Sequence, residues 1–365
     1  MEDRTFPGSV SREQGNSPLQ HVPSDYYPPG GCFWFILPDG TDQGKKMFYR
    51  DSHPGNDKPG TTVVLVHGNP ECSYSYRKII AALARTARTP VRTIAMDHIG
   101  FGLSDQATFE MTCADHAVNL LCLIRYLDLH NVTLVVHDWG GPIGIGAFLR
   151  EPGRVANLVL LNTTVFPIPD EGYTYHKNYP TPCIPWSKFP LAFPSRLWGP
   201  VASYTVYRRP AGAFRLVAGL VVHLLLFRLG IRAGGERDAR QVYEEQFSTR
   251  ANARSSMRMV RETQYWGKGE MVPGSSPELK NPGVLYRFMQ ENMTKAWGPL
   301  GRNIGARALV GRWDPLGKDG VISQWLRSLP QLEGHVRVFE KVGHFVNIEK
   351  PEEIADAVLD VAGLG

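Results

Sequence analysis

The chain has 365 residues, 42% of them hydrophobic and 21% charged, with 37 Gly and 28 Pro. Length and composition are those of a globular protein of about two domains with a large core, and they exclude a disordered, fibrous or coiled-coil chain. The net charge of +5 is too mild to point to nucleic acid.

Residues 1–30 are polar and rich in Pro, Ser and Gly, which predicts a disordered tail. They hold no apolar stretch of signal-peptide length. Cys32-Phe33-Trp34-Phe35-Ile36-Leu37, a turn at Pro38-Asp39-Gly40 and Lys46-Met47-Phe48-Tyr49 predict an antiparallel hairpin. From Thr61 short β-branched runs (63–66, 93–96, 132–136, 155–161) alternate with helical periodicity (74–88, 112–127 and from Gly141). Such alternation predicts a parallel sheet covered by helices. Thr112 and Asp115 resemble a capping box, and Ala117, Leu120, Leu121, Ile124 and Leu127 then share one helical face.

The alternation stops near Asn162 and resumes near Arg307. The expected layout is an α/β core at 31–164 and 305–365, interrupted by a helical cap at 165–304. After the cap come strands at 308–310 and 336–339, a helix at 321–329, and a last helix with Pro351 at its start, Glu352 and Glu353 in its first turn and Gly363 at its end. Residues 216–229 are strongly apolar, but Arg215, His223 and Arg228 bound or break the run. A membrane span needs ~20 nearly uncharged residues. The plain reading is a cap helix packed on the core; an oligomer contact or a membrane-surface helix is the alternative. Twelve Arg stand against four acids between Arg196 and Arg261, a solvated face or a weak steering field.

The cysteines (Cys32, Cys72, Cys113, Cys122, Cys183) are odd in number, widely spaced and without C-x-x-C pairs. This argues against a disulfide framework or zinc site and predicts a reducing, cytoplasmic setting.

Leu134-Val135-Val136-His137-Asp138-Trp139-Gly140-Gly141 carries the chemistry. A strand runs into a helix through a tight turn, the nucleophile-elbow layout, with Asp where hydrolases more often have Ser. A carboxylate is ionised at neutral pH, needs no base to activate it, and can displace a good leaving group from carbon. Val66-His67-Gly68-Asn69-Pro70 follows an earlier strand. Loops of this kind supply one oxyanion-hole N–H, and the residue after the nucleophile supplies the other. Those residues are Asn69 and Trp139, whose side chains are also uncharged N–H donors able to hold a departing halide. Asp314, in Gly311-Arg312-Trp313-Asp314-Pro315, and His344, in Gly343-His344-Phe345, follow the last two strands. The chain order is nucleophile, acid, histidine, as in α/β-hydrolases. His344 would take a proton from water, and Asp314 would fix its tautomer. Taken singly, Asp138 could be a helix N-cap, Trp139 a core aromatic, and Asn69 and Asp314 turn residues.

These residues resemble the haloalkane dehalogenases of the α/β-hydrolase superfamily. His67-Gly68-Asn69-Pro70-Glu71 with Ser75-Tyr76-Arg77 looks like that family's first motif. The run from Asp97 to Asp105, and His137-Asp138-Trp139-Gly140-Gly141, look like the next two. The resemblance covers residues 30–170 and 305–363. It implies a mostly parallel eight-stranded sheet flanked by helices, with an inserted helical cap. It also implies Asp138 as nucleophile, His344 as base, Trp139 and Asn69 as halide holders, a halogenated hydrocarbon substrate, and no metal or organic cofactor. One subfamily has its acid as Glu after the sixth strand. Here Asn162-Thr163-Thr164-Val165 has no carboxylate, so the acid falls on Asp314. That set resembles the third subfamily, whose members tend to form large oligomers, so a homo-oligomer is allowed for. No nucleic-acid or membrane partner is expected. Epoxide hydrolases resemble the chain in fold and elbow. They usually carry a bulky aromatic where Asn69 stands and Gly where Val136 stands, and they need two cap tyrosines. Tyr173, Tyr175, Tyr179, Tyr204, Tyr207, Tyr243 and Tyr265 lie in the insertion. A non-catalytic receptor on the same fold is the alternative of another class.

Overall fold

The β-branched runs form the centre of one sheet. The structure, a computed structural model, describes residues 7–26, 31–55, 60–169, 186–231, 237–273 and 281–365. Among these are nine strands: β1 (Ser9–Ser11), β2 (Cys32–Ile36), β3 (Lys46–Asp51), β4 (Thr62–Val66), β5 (Arg92–Met96), β6 (Val132–His137), β7 (Val155–Leu161), β8 (Gly305–Gly311) and β9 (Val336–Phe339). Their order is β1-β2-β3-β5-β4-β6-β7-β8-β9. The pairings from β1 to β5 are antiparallel, and those from β5 through β9 are parallel. The hairpin predicted at 32–49 is the β2–β3 pair.

The helices in chain order are α1 (Arg77–Thr86), α2 (Cys113–Tyr126), α3 (Gly140–Phe148), α4 (Trp198–Tyr207), α5 (Ala213–Arg228), α6 (Arg237–Glu245), α7 (Arg250–Arg261), α8 (Pro282–Trp297), α9 (Asp319–Ser328), α10 (Val346–Glu349) and α11 (Pro351–Val361). Every residue of β4 and β6 is buried, as parallel strands covered on both faces require. Alternation along β4 feeds two cores. Val64 and Val66 join the cluster with α2, α3 and α8, while Val63 and Leu65 join the one with α1 and α11. α2 starts with the predicted capping box: Thr112 Oγ1 accepts from the Asp115 N–H, and the Asp115 carboxylate accepts from the Thr112 N–H. Past the end of α11, Gly363 sits at φ +70°, the left-handed turn that glycine adopts without a Cβ clash.

Two expectations are corrected. The sheet has a ninth strand, because β1 pairs with the free edge of β2. The tail is not loose between residues 7 and 26. Tyr26 is fully buried, and its hydroxyl donates to Asp97 Oδ2 at 2.5 Å. The Glu245 carboxylate of α6 accepts from the Gln20 and His21 N–H groups. Polar composition hid this, because a few anchors seated in distant pockets hold the segment without any local periodicity. A further difference is that α8, expected in the cap, packs on α2 and α3 of the core. Tyr173, Tyr175, Tyr179 and Cys183 lie outside the described residues.

Candidate active site

Between β6 and α3, Asp138 takes φ +51°, a left-handed conformation costly for a residue with a Cβ. The surroundings enforce it. The Asp138 carbonyl accepts from the Gly141 N–H at 3.0 Å and from Thr163 Oγ1 at 2.6 Å. A Cβ on Gly140 would lie 2.1 Å from the Val66 carbonyl oxygen, and one on Gly141 1.9 Å from Thr163 Oγ1. Only glycine lets the helix start this close to the sheet.

The turn presents the Asp138 carboxylate at the carboxyl end of β6, beside β4. The chain steps from β4 outward to β5 and then back across to β6, so this is the switch point where open α/β sheets form crevices. Asp138 Oδ2 accepts from the Asn69 N–H at 2.8 Å. Asp138 Oδ1 lies 3.3 Å from His344 Nε2. His344 Nδ1 lies 3.0 Å from Asp314 Oδ2. Asn69, Asp138, Trp139, Asp314 and His344 therefore line a single cavity, although they come from four loops far apart in the chain. Burial disfavours the His344 imidazolium, but the Asp314 and Asp138 carboxylates outweigh it and hold its pKa well above the usual histidine value. Burial pushes the Asp314 carboxyl up; His344 and the Asn162 amide pull harder and keep its pKa below the usual range.

Trp139 is buried at the cavity wall, with its ring 4.0 Å from that of Trp266. The Asn69 side chain is partly committed. Its Nδ2 donates to the Ser256 carbonyl at 3.1 Å, and its Oδ1 accepts from Ser256 Oγ. An amide nitrogen carries two hydrogens, so one remains for a ligand. Ser256 Oγ in turn accepts from Trp198 Nε1 at 2.8 Å. No pattern in the sequence singles out Ser256, a small residue on α7 that acts across 187 positions. Asn162 is likewise new. Its amide donates to Asp314 Oδ2 at 2.7 Å and exchanges hydrogen bonds with Gly311. The position that lacks a carboxylate thus holds Asp314, after the next strand, by a hydrogen bond. None of the described tyrosines lines the cavity.

A second carboxylate–histidine pair lies beneath the first. His137 Nδ1 is 2.5 Å from Glu71 Oε2, and both side chains are fully buried. His137 Nε2 is 2.8 Å from the His344 carbonyl oxygen. A carbonyl only accepts, so Nε2 is the donor to it. Glu71 Oε1 accepts from Asn347 Nδ2 at 2.7 Å. The network ties the loops after β4, β6 and β9 together. Glu71→Ala should lower the unfolding free energy by about 3–5 kcal/mol, the scale for breaking a buried pair. Urea titration checks it; a loss below about 1 kcal/mol would mean the pair behaves like a surface contact.

A family model described as the alpha/beta hydrolase fold matches residues 61–194. Haloalkane dehalogenase 1 of Mycobacterium bovis is 30% identical over 306 residues, covering 81% of this chain and 82% of the relative. The chain belongs to the haloalkane dehalogenase family. In structure it is similar to the haloalkane dehalogenase DpaA from Paraglaciecola agarilytica, a tetramer (TM-score 0.59, 20% identity, 93% of this chain and 97% of that one). This likeness concerns the fold. The cis-3-alkyl-4-alkyloxetan-2-one decarboxylase of Shewanella oneidensis is 42% identical over 131 residues, 35% of this chain. The match spans 38% of that relative's length, and 43% for the same-named protein of Xanthomonas campestris.

Proposed function

We propose that the protein hydrolyses haloalkanes to alcohol, halide and a proton through an alkyl ester on Asp138. The observation that carries this reading is the Asp138 carboxylate itself. It stands on a strained elbow, with one oxygen on the Asn69 N–H and the other facing His344, in a cavity walled by Phe189, Trp198, Val260 and Trp266.

In the first half, an Asp138 oxygen attacks the halogen-bearing carbon. The C–O bond forms as the carbon–halogen bond breaks, and the halide leaves with the bonding pair. The Trp139 indole and the remaining Asn69 amide hydrogen receive it. No proton moves, so positioning and preorganised donors provide the rate. In the second half, His344 takes a proton from water, whose oxygen attacks the ester carbonyl carbon of Asp138. The N–H groups of Asn69 and Trp139 hold the oxyanion. The ester C–O bond to the carbonyl breaks, the departing alkoxide takes the proton held by His344 and leaves as the alcohol, and the second proton of the water is released as Asp138 returns to its carboxylate. Alkylation removes the Asp138 charge, one of the causes that raise the His344 pKa. The base therefore becomes easier to deprotonate when the water must be activated.

A single turnover in heavy-oxygen water tests the route. The label should enter the Asp138 carboxylate, read by peptide mass. Label found only in the alcohol would mean that water attacks the substrate directly.

The 42% identity with the oxetanone decarboxylase favours a second reading on the same nucleophile. Asp138 would attack the ring carbon that bears the ring oxygen of a four-membered lactone, freeing a carboxylate. Loss of CO2 would place the C–C bonding pair in a new double bond and expel Asp138, with no water consumed. Arg208 lines the cavity and would suit the freed carboxylate.

A further inference from the structure

The cap carries an apolar face that the enclosed chemistry does not use. α5 reads Ala-Phe-Arg-Leu-Val-Ala-Gly-Leu-Val-Val-His-Leu-Leu-Leu-Phe-Arg, apolar all round apart from Arg215, His223 and Arg228. A helix of that kind is normally buried all round. Here only the face bearing Leu216, Leu220, His223 and Leu224 turns inward, where the Tyr204 hydroxyl donates to the Leu216 carbonyl at 2.7 Å. The opposite face exposes Phe214 (86%), Val217, Val221, Val222, Leu225 and, just past the helix, Leu229 (71%). Together they present on the order of 600 Å² of apolar surface, at the upper end of the largest patch on a typical monomer.

The charge of this stretch of the chain has one sign. From residue 172 to residue 235 the sequence has no Asp or Glu and eight Lys or Arg. Arg209, Arg215 and Arg228 are exposed at or next to the ends of α5. We propose that the α5 face is a docking surface for an anionic lipid membrane. The apolar stripe enters the acyl–headgroup boundary, and the arginines meet lipid phosphates. Sixteen residues make a helix of about 24 Å, short of a ~30 Å hydrocarbon core. No described helix is long and apolar enough to cross a membrane, so α5 lies in the interface plane. A second copy fits less well. Two-fold pairing of antiparallel α5 helices brings Arg215 of one chain toward Arg228 of the other, with no acid on the helix to offset them. α4 lies between α5 and the cavity, packing against α5 and supplying Trp198, Ala202 and Thr205 to the cavity wall. Docking would therefore set the site one helix away from the lipid in which an apolar substrate dissolves.

The test is co-sedimentation of the full chain with phosphatidylcholine vesicles, with and without phosphatidylglycerol. The protein should bind only the phosphatidylglycerol vesicles and be released by salt. Arg215→Gln with Arg228→Gln should weaken binding about thirty-fold. Val221→Asp with Leu225→Asp should abolish it, with the thermal midpoint unchanged or raised. Three results would overturn the proposal: no sedimentation with either vesicle, equal binding to both, or full binding by the Asp pair. A dimer that those Asp substitutions dissolve, without vesicle binding, would assign the face to a second copy instead.

Discussion

Replacing His344 with Phe should stop turnover after one equivalent of halide and leave the substrate's alkyl group on Asp138. The first displacement needs no proton transfer, so the nucleophile and its halide donors remain competent. The second half needs water deprotonated beside the ester, and His344 Nε2 lies 3.3 Å from Asp138 Oδ1. Steady-state turnover of a brominated alkane should fall by at least ~10³-fold, within the range for a lost general base. Stopped-flow halide release should still show a burst of one equivalent. Mass spectrometry of the intact protein should show the alkyl increment; a burst without an adduct would rule out the ester. The same variant separates the two readings of the site. Lactone decarboxylation consumes no water, so His344→Phe should spare CO2 release from an oxetanone while it blocks bromide turnover. The pH dependence has a definite sign. Neutral His344 is the active form, so ester hydrolysis rises with pH through its pKa. That acid limb should lie below the pH at which His344 titrates in the resting enzyme, where the Asp138 charge is intact.

Asp138→Asn should abolish both activities by at least ~10⁴-fold, since a neutral amide is not a nucleophile and, among the described residues, the one other carboxylate lining the cavity is Asp314. Asp314 also lines the cavity, but it lies behind His344, held by the Asn162 amide. The substitution also mimics the charge of the alkylated state. The His344 pKa, followed by NMR of the imidazole protons, should fall relative to the parent while Asp314 still supports it. An unchanged His344 titration would mean that the 3.3 Å approach to Asp138 carries no electrostatic weight. Residual halide release above the uncatalysed rate would shift the nucleophile elsewhere.

Much of this molecule is written locally. The alternation of β-branched runs with helical periodicity determined the sheet, because side-chain periods of two and 3.6 are properties of neighbouring residues. The capping box at Thr112 and the Asp-Trp-Gly-Gly turn were legible for the same reason. The contacts that tune the site were not legible. Ser256 on Asn69, Asn162 on Asp314, and the buried Glu71–His137 pair under His344 join residues 66 to 187 positions apart. In each case two polar groups must satisfy one another because burial removes water from both. That need arises only once the chain has closed on itself. The same holds for Tyr26 beneath the hairpin and for the bare side of α5, whose plain reading from sequence is a helix packed on the core. Sequence alone determined which chemical groups the protein carries and the elements that bear them. Tertiary structure decided which groups are deprived of water together, and therefore which act on one another.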